Sequence, residues 1–66
     1  MTAVDLKHQG NKFFANRSYD SAINCYTKAI IKSPNTSTLF TNRALCHLKM
    51  KKWDLAQQDC RRALDL

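Results

Sequence analysis

Two short runs of side chains in this 66-residue sequence could do chemistry on an anion. Lys7, Asn11 and Phe14 stand at i, i+4 and i+7; Asn42, Leu45 and Lys49 stand at i, i+3 and i+7. At 3.6 residues per turn each set shares one helix face. Each set mixes a cation or an amide with a large apolar side chain. A solvated face more often carries charges of both signs and no such apolar group. An ammonium offers three donors, and an amide adds donors without a charge that needs neutralising. Both runs therefore read as walls of a groove for an anionic group with an apolar neighbour. Asn42 falls mid-helix, where asparagine is a poor helix former, so its place there asks for a reason.

Catalytic chemistry finds little to work with. A general base needs a carboxylate or a nucleophile within hydrogen-bond reach, and His8 and His47 are the two imidazoles that could serve. The five Asp residues fall at helix starts or on second helices, away from the two runs. One glycine cannot build a phosphate-cradling loop. No catalytic residue and no cofactor is expected. Cys25, Cys46 and Cys60 are widely spaced, with no C-x-x-C pair. An odd cysteine set without paired spacing reads as free thiols in a reducing compartment, filling small apolar spaces. Cys46 and His47 are chain neighbours that point to different helix faces, so no metal site is expected.

The elements that must position these residues come in two copies. Shifted so that Leu6 falls on Phe40, the chain overlays itself: Tyr19 on Trp53, Asp20 on Asp54, Ala22 on Ala56, Ala29 on Ala63 and Ile30 on Leu64. Phe13 on His47 and Tyr26 on Cys60 are weaker matches. Each copy reads as two helices. In the first, Leu6, Gly10 and Phe13 form one apolar stripe over 4–16, and Ala22, Tyr26, Ala29 and Ile30 another over 20–32. Breaks are expected at Arg17-Ser18, with Ser18 or Asp20 as a cap, and at Ser33-Pro34-Asn35. In the second, Phe40, Ala44 and His47 precede a break at Lys51-Lys52, then Ala56, Cys60, Ala63 and Leu64 follow. Gly10 and Ala22 let paired helices approach closely, with Tyr26 and Phe13 filling the space beside them. Tyr19 and Trp53 are expected to pack, whereas Lys51, Lys52, Arg61 and Arg62 are expected in solvent. The fold class is all-α, two antiparallel helical hairpins in one domain, residues 1–66.

Leu6, Gly10, Phe13, Ala22, Tyr26, Ala29 and Pro34 sit at fixed offsets that resemble the tetratricopeptide repeat. The resemblance implies a helix-turn-helix repeat over about 3–36 and a second over about 37–66, incomplete at its C-terminus. In the second copy Cys60 stands where an aromatic is usual. First helices of such repeats line a concave surface. Lys7, Asn11 and Asn42 then look like three of the five carboxylate-clamp residues of a co-chaperone subset. That subset binds the acidic C-terminal tail, Glu-Glu-Val-Asp, of cytosolic heat-shock chaperones of the HSP70 and HSP90 classes. Phe14, Thr38 and Leu45 would flank the valine, and Lys49 would reach an acidic side chain further back. The other two clamp residues would lie on a third repeat. Stretches such as LKHQGNKF from Leu6 and TNRALCHLKM from Thr41 resemble chaperone-linked U-box ubiquitin ligases, whose ligase domain is not among these residues.

Eleven Lys and Arg against five acidic residues give a net charge of +6, which favours anionic partners. Nucleic acid is one rival reading, but no aromatic-interleaved basic stripe or reading motif supports it. A purely structural, self-assembling repeat is the other. No apolar run approaches the ~20 residues of a membrane span, and the N-terminus lacks the pattern of a secretion signal. The expected location is cytoplasmic. The last helix, with Leu55, Ala56, Cys60, Ala63 and Leu64, is expected to leave apolar surface open to self-association.

Overall fold

In the computed structural model, which describes residues 1–66, four helices follow one another with no strand. They are α1 (Ala3–Ala15), α2 (Tyr19–Lys32), α3 (Ser37–Lys49) and α4 (Trp53–Asp65). α1 packs on α2, α2 on α3, and α3 on α4, in a flat body of 29 × 26 × 13 Å. The two hairpins repeat down to the backbone. Arg17 and Lys51, equivalent positions of the two copies, both take left-handed conformations, with φ of 62° and 60°. Around each, the chain closes the preceding helix in the same way. Ser18 N donates to Phe13 O at 2.8 Å and Arg17 N to Phe14 O at 3.0 Å; Lys52 N donates to His47 O at 2.8 Å and Lys51 N to Leu48 O at 3.0 Å. These paired bonds satisfy the last helical carbonyls in a Schellman motif.

The start of α1 is fixed by a capping box. Asp5 N donates to Thr2 Oγ1 at 3.1 Å, and Thr2 N donates to Asp5 Oδ2 at 3.2 Å. The backbone N–H of Thr2, and then its side chain, hold the Asp5 carboxyl below its ordinary pKa. Ser18 does occupy the N-cap position of α2, but neither it nor Asp20 gives that helix a side-chain cap bond.

Thirteen residues are buried, so the core is thin and depends on close contacts. One cluster joins Leu6, Ala29 and Leu39, from α1, α2 and α3. A second joins Ala22, Tyr26 and Cys46, with Phe14, Tyr19 and Ile23 packed against it. Gly10 is where α1 meets α2 most closely: a Cβ there would lie 2.6 Å from Tyr26 Cε1.

Three packing expectations are corrected by position in the stack. Phe13 is 38% exposed, although its counterpart His47 is buried. α3 lies between α2 and α4, whereas α1, at the end of the stack, packs chiefly on α2. Trp53 is 60% exposed, whereas Tyr19 is half-buried with its ring edge-on to Phe14 at 5.4 Å. Cys60 is exposed and fills no apolar space, unlike Cys25 and Cys46; Leu64, on the helix expected to leave apolar surface open, is 86% exposed. The cause is the same, since nothing lies on the outer face of α4.

The second hairpin gains a polar tie in exchange. Arg43 Nε donates to Asp59 Oδ2 at 2.8 Å, its Nη2 to Asp59 Oδ1 at 2.6 Å, and its Nη1 to Thr27 Oγ1 at 3.2 Å. One guanidinium thus binds α2, α3 and α4 together, with its carbon 5.6 Å from the centre of the Phe40 ring. Asp59 is nearly enclosed, so removing it leaves a part-buried cation without its bidentate partner. Asp59→Ala is expected to cost about 3 kcal/mol. That is a large share of the roughly 3–10 kcal/mol that a chain of this size holds. Urea unfolding followed by circular dichroism measures it.

Candidate functional site

α1 places Phe14, Lys7 and Asn11 within about 60° of arc, at 100° per residue. This sector borders the buried stripe of Leu6 and Gly10 without being covered by it. Lys7 is half-buried and lines a cavity of about 80 Å³ with Ala3, Val4, Ser33, Thr36 and Leu39. The ammonium stem therefore stands where α1, the α2–α3 turn and the start of α3 meet. Asn11, one turn on, is exposed, and its Oδ1 accepts a hydrogen bond from Tyr26 Oη at 2.5 Å. Phe14 is half-buried, with part of its ring spent on Tyr19 and the second core cluster.

On α3, Thr38, Asn42, Leu45 and Lys49 also fall within about 60° of arc. Asn42 is half-buried, flanked at i−3 and i+4 by the buried Leu39 and Cys46, which pack toward the first hairpin. Its carboxamide thus lies on the edge of α3 that faces α1 and α2. Leu45 is 48% exposed and Lys49 is exposed at the helix end. Thr38 is exposed in the first turn, where its carbonyl accepts from Thr41 Oγ1 at 2.9 Å. Both helices therefore carry one uncovered sector of donors with apolar neighbours. No acidic side chain belongs to either sector. α3 has none, and Asp5 of α1 is engaged with Thr2.

Sequence reasoning misses Tyr26 as a member of this site. Its type and register mark it as core, and its ring is core, 2% exposed. The signal available is its hydroxyl: a buried tyrosine needs a polar partner, and a partner one turn from Lys7 touches the site.

No three His, Cys, Asp or Glu side chains gather where they could hold a metal ion. No helix is long and apolar enough to cross a membrane. Two stacked helical hairpins whose first helices carry one donor-rich sector each define a helical-repeat scaffold.

No family model matches the chain. Known proteins do. Over 64 residues, 97% of the chain, it is 48% identical to the E3 ubiquitin-protein ligase CHIP of Arabidopsis thaliana, of which it spans 23%. The first tetratricopeptide repeat domain of Spaghetti (RPAP3), solved bound to the HSP90 peptide SRMEEVD, superposes with a TM-score of 0.96 at 42% identity. That match covers 97% of this chain and 51% of the solved one. The second such domain of Spaghetti, bound to the same peptide, superposes with a TM-score of 0.94 at 38% identity over 97% of this chain and 59% of its own. The chain has the fold of these tetratricopeptide repeat domains, with two helix-turn-helix repeats in tandem.

His47, one of the two candidate bases, does have a carboxylate near it. Its Nε2 stands 3.4 Å from Asp59 Oδ2. That carboxylate is already held by Arg43, and His47 lines none of the surface cavities. Its Nδ1 is buried without a partner, so a proton placed there would have no acceptor. Burial pushes the His47 pKa below its ordinary 6.5; Asp59 opposes this, and Arg43 and Lys52 add to it. The unfolded chain therefore binds a proton at His47 that the folded chain refuses. Stability is full above pH ~6.5 and falls as pH drops below that value toward the folded pKa. Thermal melts between pH 7.5 and about 5 are expected to fall for the parent, and His47→Gln is expected to flatten that slope.

Proposed function

We propose that this chain is a non-catalytic docking module of co-chaperone type. Its ligand is the acidic C-terminal tail, ending Glu-Glu-Val-Asp, of cytosolic heat-shock chaperones of the HSP70 and HSP90 classes. The observation that carries the reading is the backbone likeness to two repeat domains solved with an HSP90 peptide ending in those residues. Lys7, Asn11 and Asn42 supply the carboxylate clamp in this reading. An ammonium and two amides give a dianionic chain end charge-assisted bonds, roughly twice as strong as neutral ones. Phe14, Thr38 and Leu45 flank the valine side chain, and Lys49 meets an acidic side chain nearer the start of the tail. The repeats divide at about 3–36 and 37–66. The setting is the cytoplasm, and the parent protein favoured by the likeness to the Arabidopsis ligase is a chaperone-linked U-box ubiquitin ligase. Its ligase chemistry would reside outside residues 1–66.

Titration calorimetry with a Glu-Glu-Val-Asp peptide tests the clamp. Lys7→Ala removes a charged hydrogen bond worth ~1.5–3 kcal/mol, which partial exposure reduces by about half. The expected loss is about four- to tenfold in affinity. Asn11→Ala is expected to lose somewhat less, and amidating the peptide's C-terminus is expected to remove most of the remaining binding. Unchanged affinity for Lys7→Ala contradicts the clamp. Binding through the +6 charge to nucleic acid instead would be indifferent to the peptide and steep in salt.

The outer face of α4 supports a second partner of the same chain. Trp53, Cys60 and Leu64, at i, i+7 and i+11, are exposed along one side of it, and two copies meeting there would cover one another's patch isologously. Sedimentation equilibrium of residues 1–66 is expected to show dimers whose melting temperature rises with concentration. A concentration-independent monomer contradicts this.

A further inference from the structure

An asparagine in an anion site can face its ligand with either end of its amide. The wrong end presents an oxygen to a carboxylate. The surroundings of Asn11 decide between the two. Its chain neighbour Gly10 carries the Tyr26 ring directly on the α1 backbone, where an added Cβ would lie 2.6 Å from Cε1 and 2.9 Å from both Cδ1 and Cζ. Only a hydrogen fits there. The ring is sealed in the core among Ala22 and Cys46, and its hydroxyl emerges beside Asn11. Burial pushes the phenol up to about 12, with the Cys46 and Cys25 thiols adding to it, so the hydroxyl keeps its proton at any physiological pH. That proton goes to Asn11 Oδ1. With the oxygen engaged, both Nδ2 hydrogens remain for a ligand.

We propose that Tyr26 is a positioning residue for the anion site, its hydroxyl holding the Asn11 amide with the NH2 end turned toward the ligand. The inference rests on Asn11 being a clamp residue. Support comes from the second copy, where all three parts of the device are replaced together. Gly10 becomes Ala44, Tyr26 becomes Cys60 and Asn11 becomes Leu45. Where no amide stands at the Asn11 position, neither the hydroxyl nor the glycine that seats its ring is present. Cys60 is exposed, and Ala44 is buried with a Cβ in the space that a ring would need. The ring contact is therefore more than core packing, since packing alone would need no hydroxyl.

Preorganisation of a polar side chain in its bound conformation raises affinity by sparing the cost of ordering it. Tyr26→Phe keeps the ring and removes the lock. Calorimetric titration with a Glu-Glu-Val-Asp peptide is expected to show about three- to tenfold weaker binding for Tyr26→Phe. In an Asn11→Ala background the same change is expected to cost nothing further, since there is no amide left to orient. Three outcomes overturn the inference. If Asn11→Ala weakens binding and Tyr26→Phe does not, the clamp stands and the lock is wrong. If Tyr26→Phe costs the same in both backgrounds, its role is general packing. If Asn11→Ala itself has no effect, the clamp reading fails and takes the lock with it. A second measurement needs no variant: in proton NMR of the parent chain the Tyr26 hydroxyl is expected in slow exchange with water. Exchange at the rate of a free tyrosine would equally contradict the lock.

Discussion

The contact of the Tyr26 ring with the bare backbone of Gly10 is the constraint on which the rest of this small structure leans. It sets how closely α1 and α2 approach, because a single methyl group at Gly10 would collide with the ring. The same ring forms the second core cluster with Ala22 and with Cys46 of the next hairpin, so it also sets how the two hairpins stack. Glycine within a helix costs ~1 kcal/mol against alanine. That cost is offset by burying an entire aromatic ring, and the hydroxyl at its far end is delivered to Asn11 in the donor sector of α1.

Charge is arranged to match. The acidic side chains are each occupied elsewhere or lie off the donor sectors. Asp5 caps α1, Asp59 is clasped by Arg43, and Asp20, Asp54 and Asp65 belong to α2 and α4. What faces outward from α1 and α3 is ammonium and amide beside Phe14 and Leu45. An anion entering there meets donors and no competing carboxylate. Arg43 of α3 is not offered as a free cation, because its guanidinium is spent on Asp59 and Thr27.

The fold is legible where one residue type has one physical use. Gly10, Ala22, Tyr26 and Ala29 at their fixed offsets announce a close-packed hairpin, and the breaks at Arg17-Ser18 and Lys51-Lys52 fall where the two Schellman turns are. What the sequence conceals depends on neighbours in space. Phe13 and His47 share a register position, yet one is half in solvent and the other buried, because α3 is flanked by α2 and α4 whereas α1 stands at the end of the stack. Trp53 and Cys60 read as packing residues from their types and lie open for the same reason. The Arg43–Asp59–Thr27 tie joins residues 16 apart on three helices, a spacing that no single helix face reveals. Thr2 with Asp5 has the spacing of a capping box, a local signal that the apolar periodicity overshadows. Of the site, the stripes on α1 and α3 are readable from spacing alone, whereas the hydroxyl behind Asn11 needs coordinates.

The central claim is that the amides of α1 and α3 face a carboxylate ligand together. Side-chain amide signals in a nitrogen–proton NMR spectrum test this most directly, since each of the five asparagines reports separately. On titration with a free-carboxylate Glu-Glu-Val-Asp peptide, the Asn11 and Asn42 signals are predicted to move together. Those of Asn16, Asn24 and Asn35, which lie outside the two sectors, are predicted to stay. Equal movement of all five, or movement confined to residues of α4, would contradict the account.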